Sequence, residues 1–341
     1  MPQASTLVGP TLVTGATGFV GSAVARALQD RGHTLRLLVR PGSDRTLIEG
    51  LIEARGETVT GDLRDPASLT AAVAGCRYLV HVAADYRLWV PDPAPMMETN
   101  VAGTVALLRA ARDAGVERIV YCSSVAALGL IGDGTPGTET TEVHPESIVG
   151  VYKQSKYQAE QAVRALVRDE AVPAVIVNPS APVGPRDIRP TPTGKMVLDA
   201  AAGRMPAYID TGLNIIHVDD VAHGHVLALE RGQIGESYIL GGEDLEMPHL
   251  LAMVDDIMAR PRRRVRLPSG ALVPLAIAME AAARTFRTEP RVTREMLAMA
   301  KKRMFFSSAK AAAELGYTAR PARQAFADAI AWFRQQGRLP V

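Results

Sequence analysis

Two patterns of hydrophobic and polar positions alternate along the first half of the chain. Short continuous apolar runs, typical of strands buried on both faces, are separated by segments in which apolar residues recur every three or four positions, as on a helix. This alternation predicts an α/β fold of the Rossmann type, with a doubly wound parallel sheet between two helix layers. The apolar runs lie at 11–13, 35–39, 59–60, 78–82, 118–122 and 174–177, and the clearest helical patterns cover 96–114 and 152–170.

Glycines follow the first predicted strand and open the first helix, in the stretch TGATGFVG at 14–21. Gly15 allows a tight turn, Gly18 lets the backbone approach a pyrophosphate, and Gly21 lets the helix pack closely on the strand. The free N–H groups at a helix start, with their partial positive charge, bind phosphate. The stretch therefore predicts a dinucleotide phosphate site. This site comprises Gly15, Thr17, Gly18, Phe19, Val20 and Gly21.

The pattern loosens after Pro179, where five prolines between 179 and 192 mark an irregular segment. Later helices are predicted at 221–230, 248–258, 271–286 and 321–335. We therefore predict a dinucleotide-binding domain over residues 1–178. Residues 179–341 are predicted to form a smaller lobe, mainly for substrate binding, from which some segments return to the first domain.

The composition is that of a globular chain with a large core, because 47% of its 341 residues are hydrophobic. A formal charge of +2 gives no reason to expect a nucleic acid partner. Cys76 and Cys122 lie in apolar contexts without ligand spacing, which favours a reducing compartment, and we expect a cytoplasmic protein. The first ten residues lack the pattern of a secretory signal, and no apolar run reaches the roughly 20 residues of a membrane span.

Tyr152 and Lys156 are one helical turn apart, so both side chains can face one cleft. An ammonium near a phenol lowers the phenol pKa, and a tyrosine so tuned can exchange a proton with a substrate hydroxyl. The same spacing also occurs on ordinary exposed helices. Ser123 and Ser124 favour the catalytic interpretation, since they follow the fifth strand at the sheet edge where such folds bind ligands. The Ser124 hydroxyl can bond the same substrate oxygen.

These motifs, taken in order, resemble the extended short-chain dehydrogenase/reductase superfamily, also described as the NAD-dependent epimerase/dehydratase superfamily. The resemblance implies hydride transfer between a nicotinamide and a carbonyl or carbinol carbon, with Tyr152 as general acid/base. Ser124 would orient the substrate oxygen and Lys156 would tune Tyr152 and hold the nicotinamide ribose. It also implies a homodimer through helices 96–114 and 152–170. The motifs are TGATGFVG, Gly61-Asp62-Leu63, His81-Val82-Ala83-Ala84, Asn100, Ser123-Ser124, Tyr152 with Lys156, Asn178-Pro179 and residues 217–221.

The same resemblance assigns further residues to the cofactor. Asp62 and Leu63 would flank the adenine, and Ala83 would line the cofactor path. Asn100 would support the geometry of the active-site helix, and Pro179 would lie against the nicotinamide.

Arg40 bears on the choice between NADP(H) and NAD(H) as the cofactor. It ends the second predicted strand, where a carboxylate would bond the ribose hydroxyls of NAD and repel a 2′-phosphate. A guanidinium instead binds phosphate, so Arg40 favours NADP(H). NAD(H) stays the alternative, because Asp44 can reach a ribose and Arg40 can be a solvated loop cation.

The substrate class rests on departures from the nucleotide-sugar enzymes of the superfamily. Those enzymes often carry Asn where this chain has Ala181, and Arg where it has Leu213-Asn214. Without these partners a sugar pyrophosphate loses charged and polar contacts, unless Arg186 or Arg291 replaces them. The chain is therefore expected to act as a reductase resembling dihydroflavonol reductase, on a small or lipid-like substrate, with nucleotide-sugar epimerase chemistry as the alternative.

Along its whole sequence the chain is most similar to the bacterial group called hopanoid-associated sugar epimerases. Tyr86 and Trp89 follow the fourth strand and would wall an apolar or ring-shaped substrate, although ordinary loop packing explains them equally well. The shared stretches are 85–89, 178–180, 184–187 and 304–308. The candidate substrate residues are Asp85, Tyr86, Trp89, Ser124, Ala181 and Arg186.

Other features receive plainer interpretations. Asp219, Asp220, His223 and His225 are not expected to bind a metal, since the two histidines point to different helix faces; an aspartate is expected to cap the helix. The basic run 260–266 with the apolar stretch 271–283 is typical of a membrane-surface element, but a solvated strand edge leading to a core helix is favoured. A dinucleotide sensor without catalysis is the alternative to an enzyme.

Overall fold

The computed structural model describes residues 7–87, 89–286, 288, 290, 292–300 and 302–340. The strands are β1 Pro10–Thr14, β2 Thr34–Val39, β3 Gly56–Thr60, β4 Tyr78–His81, β5 Arg118–Cys122, β6 Ala174–Pro179, β7 Ala181–Val183, β8 Ala207–Ile209, β9 Gly212–His217, β10 Ser237–Leu240, β11 Glu243–Glu246, β12 Val265–Leu267 and β13 Arg303–Met304. The helices are α1 Phe19–Asp30, α2 Glu49–Arg55, α3 Pro66–Val73, α4 Ala94–Met97, α5 Gly103–Asp113, α6 Val151–Glu170, α7 Pro192–Ala201, α8 Val218–Arg231, α9 Met247–Ile257, α10 Val273–Phe286, α11 Arg294–Ala300, α12 Ala309–Leu315 and α13 Ala322–Gln335.

A seven-stranded parallel sheet forms the centre, in the order β10-β6-β5-β4-β1-β2-β3. Its middle strands are covered on both faces, which is why their sequences read as continuous apolar runs. Val13 of β1 pairs with Leu37 of β2 on one side and Val80 of β4 on the other, and all three are buried. The Rossmann-type fold predicted from the alternating pattern is confirmed.

Two apolar layers cover this sheet. One lies beneath α1 and α8 and includes Val24, Val221 and Val226; the other lies beneath α3, α5 and α6 and includes Leu107 and Val163. Helix α8 follows residue 178 in the chain but belongs to the first of these layers. Its apolar side packs on the central sheet, and strand β10 after it becomes the sheet edge.

The smaller lobe is built around a second core, beneath α7, α9 and α13, which includes Val197, Leu250 and Phe326. In its sheet β9 pairs with β7, β11 and β13, and β8 pairs separately with β12. Except for β9 these strands are two to four residues long, too short for a periodic sequence pattern to reveal them. The predicted domain boundary after residue 178 stays a prediction.

No helix in the described part of the chain is both long enough and apolar enough to span a bilayer.

Candidate active site

The glycine loop lies at the carboxyl end of β1, against the residues that follow β4. Gly15 has a φ of +73°, and a Cβ there would lie 2.7 Å from the backbone nitrogen of Ala83. A Cβ on Gly21 would lie 2.1 Å from the Gly15 oxygen. Helix α1 starts at Phe19 with Gly18 as its N-cap and no side-chain cap. The loop therefore leaves no room for side chains and presents backbone N–H groups at the helix start.

A cavity of about 930 Å³ opens over this edge of the sheet. It brings together nearly all the predicted cofactor and catalytic residues, from segments as distant as β1 and β6. Those lining it are Gly15, Thr17, Gly18, Phe19, Val20, Gly21, Arg40, Asp62, Leu63, Ala83, Ser124, Tyr152, Lys156 and Pro179.

His81, at the end of β4, joins the sheet edge to helix α5. Its Nδ1 lies 2.7 Å from Thr14 Oγ1, and its Nε2 lies 2.9 Å from Thr104 Oγ1. Because Thr14 Oγ1 accepts from the backbone of Val82 and Ala83, and Thr104 Oγ1 donates to the Asn100 carbonyl, the consistent arrangement puts the histidine proton on Nε2. Burial lowers the pKa of His81 to about 3, so the ring is neutral.

Asn100 lies in a short π-helical segment, Glu98–Ala102, between α4 and α5. Its Nδ2 donates to the Asp85 carbonyl at 3.0 Å and to Ser155 Oγ at 2.9 Å, and its Oδ1 accepts from the Asp85 N–H at 2.7 Å. One buried amide thus ties the loop after β4 to helix α6, which carries Tyr152. Asn100 is not a lining residue of the cavity; its contacts are those of a residue that positions the helix.

The serines after β5 have different surroundings. Both line the cavity, and the Ser124 Oγ accepts from the Ala126 N–H at 3.1 Å. Ser123 is buried and donates to Glu160 Oε2 at 2.6 Å; Asn178 Nδ2 donates to the same oxygen at 2.7 Å. Ser123 therefore holds the strand end, and Ser124 is the serine available to a substrate.

Tyr152 and Lys156 both face the cavity from the first turns of α6, as their spacing predicted. The Tyr86 ring packs edge-on to the Tyr152 ring, with centroids 4.7 Å apart. The Lys156 Nζ donates to the Cys122 carbonyl at 2.8 Å and lies 5.2 Å from the centroid of the Tyr121 ring.

The pKa of Tyr152 corrects an expectation. We predicted that Lys156 lowers it, but in this structure it is raised well above its usual value, because burial disfavours the phenolate and the Tyr86 phenol adds to the effect. Hydrogen bonding to Ser124 acts in the opposite direction. Burial also lowers the pKa of Lys156. In this arrangement Tyr152 keeps its proton, which is the form that donates to a carbonyl oxygen.

The far end of the cavity continues into a second one of about 560 Å³. Arg40, Arg64 and Arg189 line both cavities, and Arg64 also pairs with Asp62 at 3.2 Å. Asp44 lines the second cavity, but its carboxylate accepts from the Thr46 N–H and hydroxyl, which lowers its pKa. Arg64 and Arg189 had not been predicted, since nothing in their local sequence marks them.

The substrate end of the cavity is largely apolar and comes from loops and the smaller lobe. Tyr86, 44% exposed, lies between Tyr152 and this end. Lys153 and Glu295 also line the cavity, and burial lowers the pKa of Lys153 to about 8. Lys153 directly follows Tyr152 in the sequence, but it was not among the predicted site residues. The apolar lining includes Leu128, Leu130, Met196, Leu213, Met299, Met304 and Phe306.

Two candidate substrate residues are placed elsewhere. Arg186 pairs with Asp219 of α8 and is not among the described lining residues. Trp89 is half-buried and does not line the cavity either. Asp85 and Ala181 do line it. Leu88 and Arg291 lie outside the described residues.

The start of α8 corrects the predicted helix cap. The His217 side chain, not an aspartate, accepts from the Asp219 N–H at 3.0 Å. Asp220 instead bonds Arg320, and the buried His225 ring contacts the Val221 carbonyl at 2.8 Å. Within the described residues no group of three His, Cys, Asp or Glu side chains is arranged to hold a metal ion.

The donor set fits a nicotinamide dinucleotide. The glycine loop and uncapped α1 suit a pyrophosphate, the arginines suit the adenosine end, and Lys156 with Tyr152 lies beside Pro179 at the opposite end. A Rossmann-type sheet with a Ser, Tyr and Lys set at its carboxyl edge defines the class of extended short-chain dehydrogenases/reductases.

The comparisons with known proteins agree with this class. Residues 11–241 match the NAD dependent epimerase/dehydratase family, and the chain belongs to that family. A provisionally named dihydroflavonol 4-reductase of Synechocystis sp. is 41% identical over 95% of this chain and 94% of its own length. Sterol demethylase protein B of Methylococcus capsulatus is 34% identical over 96% and 99%. The crystal structure of gox2253 is 62% identical, covers 97% of this chain and 99% of its own, and has a TM-score of 0.87.

Proposed function

We propose that this protein is an NADP(H)-dependent reductase or dehydrogenase acting on the carbonyl or hydroxyl carbon of a small or lipid-like substrate. The observation that carries the proposal is the placement of Ser124, Tyr152 and Lys156 at the junction between a polar, glycine-lined end and an apolar end of one cavity. The chemistry that a bound nicotinamide supplies is hydride transfer.

The residues divide the remaining work. Ser124 and Tyr152 hold the substrate oxygen, and the protonated phenol of Tyr152 donates its proton as that oxygen gains charge. Lys156, whose Nζ donates to the Cys122 carbonyl, places a positive charge beside Tyr152 and would hold the cofactor ribose. Asn100 positions α6, and Tyr86 limits how the Tyr152 ring can turn.

The apolar lining supports the substrate class. Methionines and aromatic side chains bind rings and hydrocarbon well but offer few hydrogen bonds to a sugar. Asn214, the polar residue beside Leu213, is fully engaged with Gly242, Asp244 and the Phe306 carbonyl. Two relatives named as a dihydroflavonol reductase and a sterol demethylase protein support a ring-shaped or lipid-like substrate here.

A nucleotide-sugar epimerase, of the hopanoid-associated kind that the sequence resembles, is the second candidate. The name of the matching family supports it, and so do the charged side chains of Lys153 and Glu295 in the cavity wall. An epimerase returns its hydride, so it inverts a sugar carbon without net cofactor change, which separates the two candidates experimentally.

The experiment that tests the proposal measures nicotinamide absorbance with dihydroflavonols, aldehydes, ketosteroids and UDP-sugars, for the native protein and Tyr152→Phe. Loss of the general acid should lower kcat by roughly 10²- to 10⁴-fold, while the cofactor Kd stays within about three-fold. Tyr157→Phe, on the same helix but outside the cavity lining, is the matched control. Unchanged turnover in Tyr152→Phe would remove its assigned role; cofactor binding without turnover of any substrate would favour a sensor.

Cofactor preference is tested with Arg40→Ala. Because Arg40 lines the end where a 2′-phosphate would lie, its loss should weaken NADPH binding by about ten-fold and leave NADH binding nearly unchanged. Fluorescence titration of both cofactors measures this. Equal losses for the two cofactors would mean that Arg40 does not distinguish a 2′-phosphate, and the assignment of NADP(H) would lose its support.

We further propose a homodimer formed through α5 and α6, in the cytoplasm. The outward side of these helices carries Arg109 and Arg112, both paired with Glu170. Light scattering on the purified protein measures the mass directly, and a monomer at micromolar concentration would contradict the assembly.

A further inference from the structure

Helices α10 and α11 form a hairpin on the outside of the substrate end. Met299 and Glu295 of α11 line the cavity. The inner side of α10 carries the buried residues Ala276, Glu280 and Ala283. The Glu280 carboxylate joins α10 to α11, because it accepts from the Arg294 N–H at 2.7 Å and from the Arg294 Nε at 2.9 Å. One side of the hairpin therefore faces the cavity, and α10 forms its outer side.

The outer side of α10 is apolar. Leu275 is 49%, Ile277 50% and Phe286 75% exposed, and Ala278, Ala281 and Ala282 between them are exposed as well. Thr285 is the polar exception among the exposed side chains described on this helix. These residues cover three turns of helix. Apolar side chains in a contiguous patch of this kind mark an interaction surface.

The segment that contains this face is rich in arginine, although Arg262 and Arg264 pair with Asp255 and Arg294 pairs with Glu280. Residues 260–294 contain nine arginines and two glutamates, with no lysine or aspartate, whereas the full chain carries +2. Arg260 and Arg263 are exposed and form no ion pair within the described structure. Arg266 is paired with Asp210, and its side chain is still 67% exposed.

We propose that the outer face of α10 binds the surface of an anionic phospholipid bilayer. Leu275, Ile277 and Phe286 enter the boundary between headgroups and acyl chains, and the exposed Arg260, Arg263 and Arg266 contact lipid phosphates. A second copy of this chain fits the face less well, because a two-fold contact would place the same basic segments opposite each other. From the sequence, residues 260–266 and 271–283 were interpreted as a solvated strand edge leading to a core helix. The exposure of α10 changes that interpretation.

Membrane contact at this hairpin would bring α11, which lines the substrate end of the cavity, close to the bilayer. That consequence rests on the proposed function, since it matters only for a lipid-like substrate. Bilayer binding itself is independent of catalysis and can be measured without substrate or cofactor.

The experiment is sedimentation of the full chain with vesicles of phosphatidylglycerol and phosphatidylcholine, against phosphatidylcholine alone. We expect binding to the anionic vesicles that weakens as salt is raised. Ile277→Asp should lower the partition coefficient at least ten-fold. Ile234→Asp is the matched control, because Ile234 is 52% exposed, lies after α8 and should leave binding unchanged.

The charge contribution is tested separately with Arg260→Ala/Arg263→Ala. At about five-fold per arginine, the double variant should bind anionic vesicles roughly twenty-five-fold more weakly. Matching circular dichroism spectra and melting temperatures would show that the variants fold. The proposal is overturned if the native chain does not bind anionic vesicles, or if Ile277→Asp and Ile234→Asp lose binding equally. It is also overturned if Ile277→Asp dissociates an oligomer while vesicles stay unbound. None of these results depends on the reductase assay.

Discussion

The two ends of the cavity are built in different ways. The cofactor end consists of strand termini, a glycine loop and buried hydrogen bonds, with His81 and Asn100 each linking two elements. The substrate end consists of side chains from the smaller lobe and from loops, such as Met196, Met299 and Phe306. Backbone geometry fixes the first end, whereas side-chain volume defines the second.

This difference bears on how each end tolerates change. At the cofactor end, backbone atoms lie so close together that a single methyl group must move the main chain. At the substrate end, a methionine can be shortened and its neighbours can repack. We therefore expect substitutions to cost much more at the cofactor end, and three predictions test that contrast.

Gly21→Ala should have the largest effect. Its Cβ would lie 2.1 Å from the Gly15 oxygen, so the loop and α1 must separate. We expect the free energy of unfolding to fall by about 3 kcal/mol and cofactor affinity to fall roughly a hundred-fold. Urea denaturation and cofactor titration measure the two effects.

Gly50→Ala is the control for Gly21→Ala. Gly50 lies in α2, and a Cβ there meets nothing within 4 Å. Because alanine favours a helix over glycine by about 1 kcal/mol, this variant should be slightly more stable and bind cofactor normally. A Gly21→Ala protein with native affinity would contradict the close-packed description of the cofactor end.

His81 should make stability depend on pH. Since burial depresses its folded-state pKa to about 3, the unfolded chain takes up a proton below pH about 6.5 and the folded protein does not. Its contribution to the free energy of unfolding is complete above that pH and is lost as the pH falls, by about 2 kcal/mol at pH 5.

The test compares urea denaturation at pH 7.5 and pH 5 for the native protein and His81→Asn. The variant should be less stable at pH 7.5, because Thr14 and Thr104 lose their partner, but its further loss at pH 5 should be about 2 kcal/mol smaller. His144→Asn, whose side chain is 63% exposed, should behave as the native protein. Equal losses in native protein and His81→Asn would show that His81 is not the group titrating.

The contrast between the two ends also explains what the sequence could predict. TGATGFVG and the Tyr152 to Lys156 spacing are local patterns, because a turn and one helical turn bring their residues together. The strands β1, β2, β4, β5 and β6 were recognisable for the same reason, since burial leaves an apolar run in each, whereas the edge strand β3 is only partly buried. The cofactor end of the site follows from these short stretches.

Other features of the site leave no recognisable pattern in the sequence around them. The π-helical segment around Asn100 and the arginines Arg64 and Arg189 acquire their roles from distant parts of the fold. Arg186 was misplaced for the same reason, since its partner Asp219 belongs to a later helix. The raised pKa of Tyr152 depends on burial by Tyr86 and other protein atoms, which residue spacing does not record.

Met299→Ala should have the smallest effect and should be confined to the substrate end. Met299 lines the cavity, so its truncation removes apolar contact from a large substrate; we expect KM to rise about ten-fold, with kcat and cofactor affinity nearly unchanged. Met296→Ala, on the same helix but 38% exposed and outside the described lining, is the control and should leave KM unchanged. A small aldehyde that does not reach α11 should not distinguish the two variants. If Met299→Ala instead lowered cofactor affinity, the two ends of the cavity would be coupled. A change of side-chain volume at the substrate end would then also alter the cofactor end.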